Sequence, residues 1–167
     1  MIKLNRTTEY GLMALRHMSR KRVNAAGGVT EVTSAREVAD TYHLPFEITA
    51  KTLQRLKDTG LIQSAQGAKG GYVLQKELGD VSLAEFLELM EGPQSVVACG
   101  SEARPSAQAC DYHARCEIKH LMSDLNQRVH NFLSGIRLAE LSEGGIEPPL
   151  FTPSHQDMPT QMVGGEP

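Results

Sequence analysis

The chain has no tryptophan, only 5% aromatic residues, and just three cysteines in 167 residues. With so few large aromatics and 40% hydrophobic content, it can build one modest core plus an accessory element, which argues against a multidomain enzyme. No uninterrupted apolar run is long enough to span a bilayer, and Met1-Ile2-Lys3-Leu4-Asn5-Arg6 lacks the apolar centre of a signal peptide. A cytoplasmic protein is therefore expected. An odd number of thiols cannot all pair within one chain, and disulfides rarely persist in a reducing compartment. That leaves metal or redox chemistry as the leading use for the cysteines.

A strong overall charge is also missing. The net value is −3, but it is unevenly spread: residues 1–80 carry twelve Lys and Arg against eight Asp and Glu, giving +4, whereas residues 81–167 carry five against twelve, giving −7. A basic N-terminal half joined to an acidic one suits a DNA-contacting head with a regulatory or dimerisation half. Two solvated surfaces of different composition would give the same numbers.

What is present is a series of helix signals. Tyr10, Ala14, Leu15 and Met18 recur at helical spacing over residues 7–20, with Thr7 or Thr8 placed to cap the start. Val29-Thr30-Glu31-Val32-Thr33 has the β-branched alternation of a short strand. Ser34-Ala35-Arg36-Glu37 is a capping box that predicts a helix to about Tyr42, and His43-Leu44-Pro45 forces a turn before a second helix near Phe46. That helix turns Ile48, Leu53 and Leu56 inward and stops at Gly60, which fits a left-handed terminus. Two short helices across a tight turn form a helix-turn-helix candidate.

Leu61–Ala65 and Tyr72–Leu74 then read as a hairpin around Gln66-Gly67-Ala68-Lys69-Gly70-Gly71. A hairpin in that position is the wing of a winged-helix domain, and its glycines permit close backbone approach to DNA. The competing reading, a nucleotide phosphate cradle, lacks the Gly-Lys-Ser/Thr ending and the following helix. Ser82-Leu83-Ala84-Glu85 repeats the capping signature for a helix with Leu83, Phe86, Leu87 and Met90 on one face. Ile118, Leu121, Met122, Leu125, Val129, Phe132, Leu133 and Ile136 form a long apolar stripe. Packing against a second copy would bury that stripe, and so would folding back on the head. From Ser142 onward there are glycines, prolines and four acids but no Lys or Arg, so a disordered tail is expected.

The expected fold class is therefore mainly α with a small β-hairpin wing. A winged helix-turn-helix head spans residues 1–92, a cysteine loop 93–116, a long C-terminal dimerisation helix 117–141 and a tail 142–167. Cys99, Cys110 and Cys116 all fall in the loop, spaced Cys-x10-Cys-x5-Cys. Thiolates suit soft iron-sulfur centres, and three need only one further ligand. Structural zinc favours paired Cys-x2-4-Cys spacing, which is absent, and bare redox thiols are the remaining alternative. A cysteine-nucleophile enzyme would need a poised base, and neither Cys116 with His120 nor Cys110 with His113 sits in a recognisable pattern.

Several of these features together resemble the Rrf-type winged-helix regulators of bacteria, the IscR-, NsrR- and RirA-like proteins. The resemblance covers roughly residues 1–141. It rests on Thr8-Glu9-Tyr10-Gly11-Leu12, the wing Gly67-Ala68-Lys69-Gly70-Gly71-Tyr72, the three-cysteine loop and Phe132-Leu133-Ser134-Gly135-Ile136-Arg137-Leu138-Ala139-Glu140-Leu141. It implies a homodimer that binds double-stranded operator DNA and holds a 2Fe-2S or 4Fe-4S cluster whose state alters DNA affinity. The Cys110–Cys116 gap looks like the family's, whereas the Cys99–Cys110 gap is longer. IscR-like members place a histidine three residues after the third cysteine, but this chain has Lys119 there and His120 one position later. NsrR-like members take an acid from the first helix of the other subunit, and Glu9 falls at that position. Glu9 is the expected fourth ligand, with His120, His113 and His17 as alternatives.

The same resemblance places major-groove readers at Glu47, Ile48, Ala50 and Lys51 and a wing contact at Gln66. These residues differ from those of IscR-like proteins, so a different operator is expected. Lys51 matches guanine, Glu47 cytosine and Gln66 an adenine edge. Thr49, Thr52, Arg55, Lys3, Arg6 and Lys69 are expected at phosphates, although Arg55 would equally serve as an intrahelical salt-bridge partner.

Overall fold

The computed structural model describes residues 4–24, 31–66, 70–95 and 115–140. Its elements run α1 (Arg6–Asn24), α2 (Ala35–Tyr42), α3 (Phe46–Asp58), β1 (Ile62–Ala65), β2 (Gly71–Leu74), α4 (Leu83–Glu91) and α5 (Lys119–Gly135). Helices α1 to α4 and the hairpin form the winged-helix head, and α5 lies along α4. Helix α1 starts one residue before the threonines proposed as its cap. Asn5 holds that position, its Oδ1 accepting from the Thr8 backbone at 2.8 Å and the Thr8 hydroxyl at 3.0 Å, so Thr8 is drawn inside and fully buried.

The capping box of α2 forms as its sequence dictates: the Ser34 side chain accepts from the Glu37 backbone, and Glu37 reaches back to Ser34 N–H. His43 then takes the left-handed conformation, φ 52°, and Leu44 N–H closes on Ala39 O at 2.9 Å before Pro45 opens α3. Gly60, φ 75°, ends the turn after α3. Strands β1 and β2 pair antiparallel with Ile62 opposite Leu74. Of the strand expected over 29–33, residues 29 and 30 lie outside the described residues. Thr33 makes a single bridge to Tyr72, with Thr33 N–H to Tyr72 O at 2.9 Å and Tyr72 N–H to Thr33 O at 2.8 Å.

Phe86 sits fully buried in the core among Leu15, Val38, Leu53, Leu56, Leu61, Ile62, Val81 and Met90. Two expectations need correcting. Ile48 is 40% exposed rather than inward; the inward stripe of α3 is Thr49, Thr52, Leu53 and Leu56. The long helix stops at Gly135, not at 141. Ile136 turns extended, and the chain folds back along the segment before α4: Leu83 N–H reaches Ile136 O at 2.8 Å, Leu138 N–H reaches Val81 O at 3.0 Å, and Ala139 N–H reaches Leu78 O at 3.2 Å. Ile136 and Leu138 are thereby buried. The tail over 142–167 lies outside the described residues.

Candidate DNA-binding face and sensor residues

Helix α3 divides cleanly by its 3.6-residue period. Its inward stripe fixes the helix on α1 and α2, which leaves Glu47, Ile48, Lys51, Gln54, Arg55 and Asp58 exposed on the opposite arc. Gln54 and Asp58 bond each other at 3.3 Å, and Lys57 lies 3.5 Å from Asp58. Lys51 and Arg55 enter no ion pair among the described residues, so both cations stand available to an outside anion. The alternative role for Arg55, an intrahelical salt bridge, does not form.

Thr49 and Thr52 do not fit the phosphate-contact expectation. Both are buried, and their hydroxyls donate to the backbone carbonyls of Pro45 at 3.0 Å and Ile48 at 2.8 Å. Threonine suits that role because its hydroxyl can bond the carbonyl one turn back while its methyl packs. Gln66 is exposed just beyond β1; Lys69 and Lys3 lie outside the described residues. Arg6 is largely exposed but paired to Glu9 at 3.1 Å.

Two features of this face were not visible in the sequence. The Arg36 guanidinium lies 4.1 Å from the Phe46 ring centroid, tying the start of α2 to the start of α3 through a cation–π contact. Glu37 is the second. Its Oε1 takes Lys21 Nζ at 2.8 Å and His17 Nε2 at 3.0 Å, while Lys21 also donates to Val32 O at 2.9 Å. Partial burial alone would raise the Glu37 carboxyl, but hydrogen bonds from Lys21 and His17, the Lys21 charge and the Ser34 backbone outweigh it and hold the carboxyl below its ordinary value. The node joins the C-terminal half of α1 to the N-terminus of α2.

Of the expected sensor residues, Cys116 is a half-buried free thiol three residues before α5, and Glu9 lies in the first turn of α1. Cys99, Cys110 and His113 lie outside the described residues. His17 is committed to Glu37 and stacks edge-on with Tyr42, ring centroids 5.7 Å apart. His120 is exposed on the first turn of α5. Among the described residues, no three His, Cys, Asp or Glu side chains converge on a metal site. None of the described helices is long and apolar enough to cross a membrane.

Residues 4–144 match the Rrf2 family, described as an iron-dependent transcriptional regulator. The chain belongs to the Rrf2 family. Relatives include the HTH-type transcriptional regulator IscR of Photorhabdus laumondii, 30% identical over 105 residues and covering 63% of this chain and 61% of that one. IscR of Klebsiella pneumoniae is 26% identical over 136 residues, covering 81% and 78%. Among solved structures, CymR, the global cysteine regulator of B. subtilis, superposes with a TM-score of 0.61 at 24% identity, covering 85% of this chain and 97% of CymR. The chain is thus a DNA-binding transcriptional regulator of winged-helix fold, not an enzyme, and the resemblance noted in its motifs is to the right family.

Proposed function

We propose that the Rrf2 chain acts as a homodimer whose two α3 helices enter successive major grooves of a pseudo-palindromic operator, with affinity set by an iron-sulfur cluster on the cysteine loop. The observation that carries the DNA reading is the outer arc of α3, where Lys51 and Arg55 are exposed beside Glu47 and Ile48 and form no ion pair among the described residues. Cations placed this way neutralise phosphates or pair with guanine, and Glu47 accepts from cytosine. Gln66 and Lys69 bring the wing to the adjacent backbone or groove. The dimer reading is supported by α5, where Ile118, Leu121, Leu125 and Phe132 stay between 40% and 62% exposed against the chain's own head. An isologous pairing removes that apolar surface from water and sets the spacing of the two α3 helices.

For the cluster, the donor set fits in chemistry: Cys99, Cys110 and Cys116 supply three thiolates, and Glu9 of the second copy a fourth, harder ligand. When bound, the cluster would supply an iron-, redox- or nitric-oxide-sensitive charge centre, held by the loop cysteines and Glu9. Helix α1 carries Glu9 at one end and the His17–Lys21–Glu37 contact further along. A displacement of α1 is therefore passed to the N-terminus of α2, and the holo and apo forms differ in DNA affinity.

The test is anaerobic purification with an absorption spectrum, iron and sulfide analysis, and binding to the DNA upstream of the chain's own gene. Stoichiometric iron with a visible cluster band, lost in Cys110→Ala while the dimer persists, is expected. Colourless, iron-free protein from iron-replete cells would overturn the cluster and leave a thiol-based switch.

A further inference from the structure

The exposed aliphatic side chain of Ile48 is the one feature of the α3 face that phosphate and hydrogen-bond chemistry does not use. Among the described residues, the large hydrophobics left exposed in the head are Val23, Val32, Phe46 and Ile48. Val32 packs beside Gly71 at the base of the wing, and Phe46 is covered by the Arg36 guanidinium. Ile48 lies instead on the outer arc of α3. It stands 40% exposed on the third residue of α3, one turn from Lys51 and two from Arg55 on the same flank.

A half-exposed isoleucine among the charged groups of a DNA-reading helix is suited to an apolar group of the DNA. The major-groove edge offers one such group on an ordinary base, the C5-methyl of thymine. Residues in the first turn of a recognition helix are also those that reach base edges. We propose that Ile48 reads a thymine in each half-site through that methyl, so that α3 selects thymine by contact with carbon rather than by a hydrogen bond. The β-branched side chain, restricted at χ1 in a helix, presents a fixed surface for this purpose. Thr52, whose hydroxyl bonds Ile48 O at 2.8 Å, pins the backbone beneath it. The inference rests on α3 entering the major groove, and it adds the base and the atom that Ile48 recognises.

The experiment uses the full-length protein and an operator selected from a randomised duplex pool. Each thymine is replaced in turn by deoxyuridine, which removes the methyl and keeps every hydrogen-bonding group. One position per half-site is expected to lose about fourfold in affinity, the cost of exposing about one methyl equivalent. Ile48→Ala is expected to bind the thymine operator more weakly and to make no distinction between thymine and deoxyuridine there. The uridine arm leaves the protein untouched, so it reads the contact even where a variant is unstable. If no thymine is sensitive, or if Ile48→Ala keeps the wild-type sensitivity, the methyl contact is wrong while DNA binding by α3 stands. If no sequence is enriched from the pool, both readings fail.

Discussion

Replacing Gly71 with alanine tests how the wing is seated on the head. A Cβ at Gly71 would lie 2.6 Å from Thr33 O, 2.7 Å from Val32 Cγ1 and 3.0 Å from Thr33 C. The nearest atom, the Thr33 carbonyl, is backbone and cannot turn aside, so the wing and the 31–33 segment must separate. That segment is held by the paired Thr33–Tyr72 bonds at 2.8 and 2.9 Å, and Thr33 is fully buried. Each lost bond costs about 1 kcal/mol net, and more where the buried partner finds no water, so a loss of about 2–4 kcal/mol is expected. For a chain of this size that is a fall of roughly 5–15 °C in Tm. Gly79→Ala is the matched control. Nothing lies within 4 Å of its Cβ, and it should stay within about 0.5 kcal/mol of wild type. Urea unfolding followed by circular dichroism measures both. Equal midpoints for Gly71→Ala and wild type would refute the claim that the wing base is fixed by this close approach.

Three further outcomes follow from other contacts. Thr33 Oγ1 is buried without a hydrogen-bond partner among the described residues, so the isosteric Thr33→Val should leave stability unchanged or raise it by up to about 1 kcal/mol; a clear loss by the same urea assay would mean the hydroxyl is bonded. Glu37 has its folded pKa lowered, so its contribution is present above the unfolded value of about 4.3 and is lost as pH falls through the folded value. Glu37→Gln should therefore be less stable than wild type at neutral pH, with the gap narrowing below that point; a gap that widens in acid would contradict the assignment. Leu125→Asp on the exposed face of α5 should give a folded monomer by light scattering, and a persistent dimer would move the interface elsewhere.

What the sequence made legible is what its short-range chemistry encodes. Ser34 and Glu37, Ser82, Pro45 and Gly60 each act within about four residues, and they marked α2, α3 and α4 closely. The inward threonines of α3 were legible in principle: Thr49 and Thr52 share the i, i+3, i+4, i+7 stripe with Leu53 and Leu56, and their polarity masked it. Contacts across the chain left no local mark. The approach of Gly71 to Thr33, the Lys21–Glu37 pair and the return of Ile136–Ala139 onto residues 78–83 join segments many residues apart. The apolar periodicity of α5 ran smoothly through Ile136, so it gave no sign that the helix ends at Gly135. The α3 residues proposed to face DNA follow from the family resemblance rather than from the buried stripe, which as read from the sequence turned Ile48 inward, whereas the Arg36–Phe46 contact depends on the angle between two helices.

The return of the chain after α5 also gives the molecule a mechanical character. Backbone bonds from Leu83, Leu138 and Ala139 clamp the C-terminal end of α5 to the head, while its other end leads directly to Cys116. The 17-residue helix is about 25 Å long, and it is also held near its middle, where Ser95 Oγ donates to Asn126 Oδ1 at 3.2 Å. The arm beyond that contact, residues 119–125, is about 10 Å long, so a tilt of about 5° there carries the cysteine end by about 1 Å. A strain at Cys116 thus acts on a short arm, and the head meets it first where α5 packs on α4 and only then at the strand-like clamp.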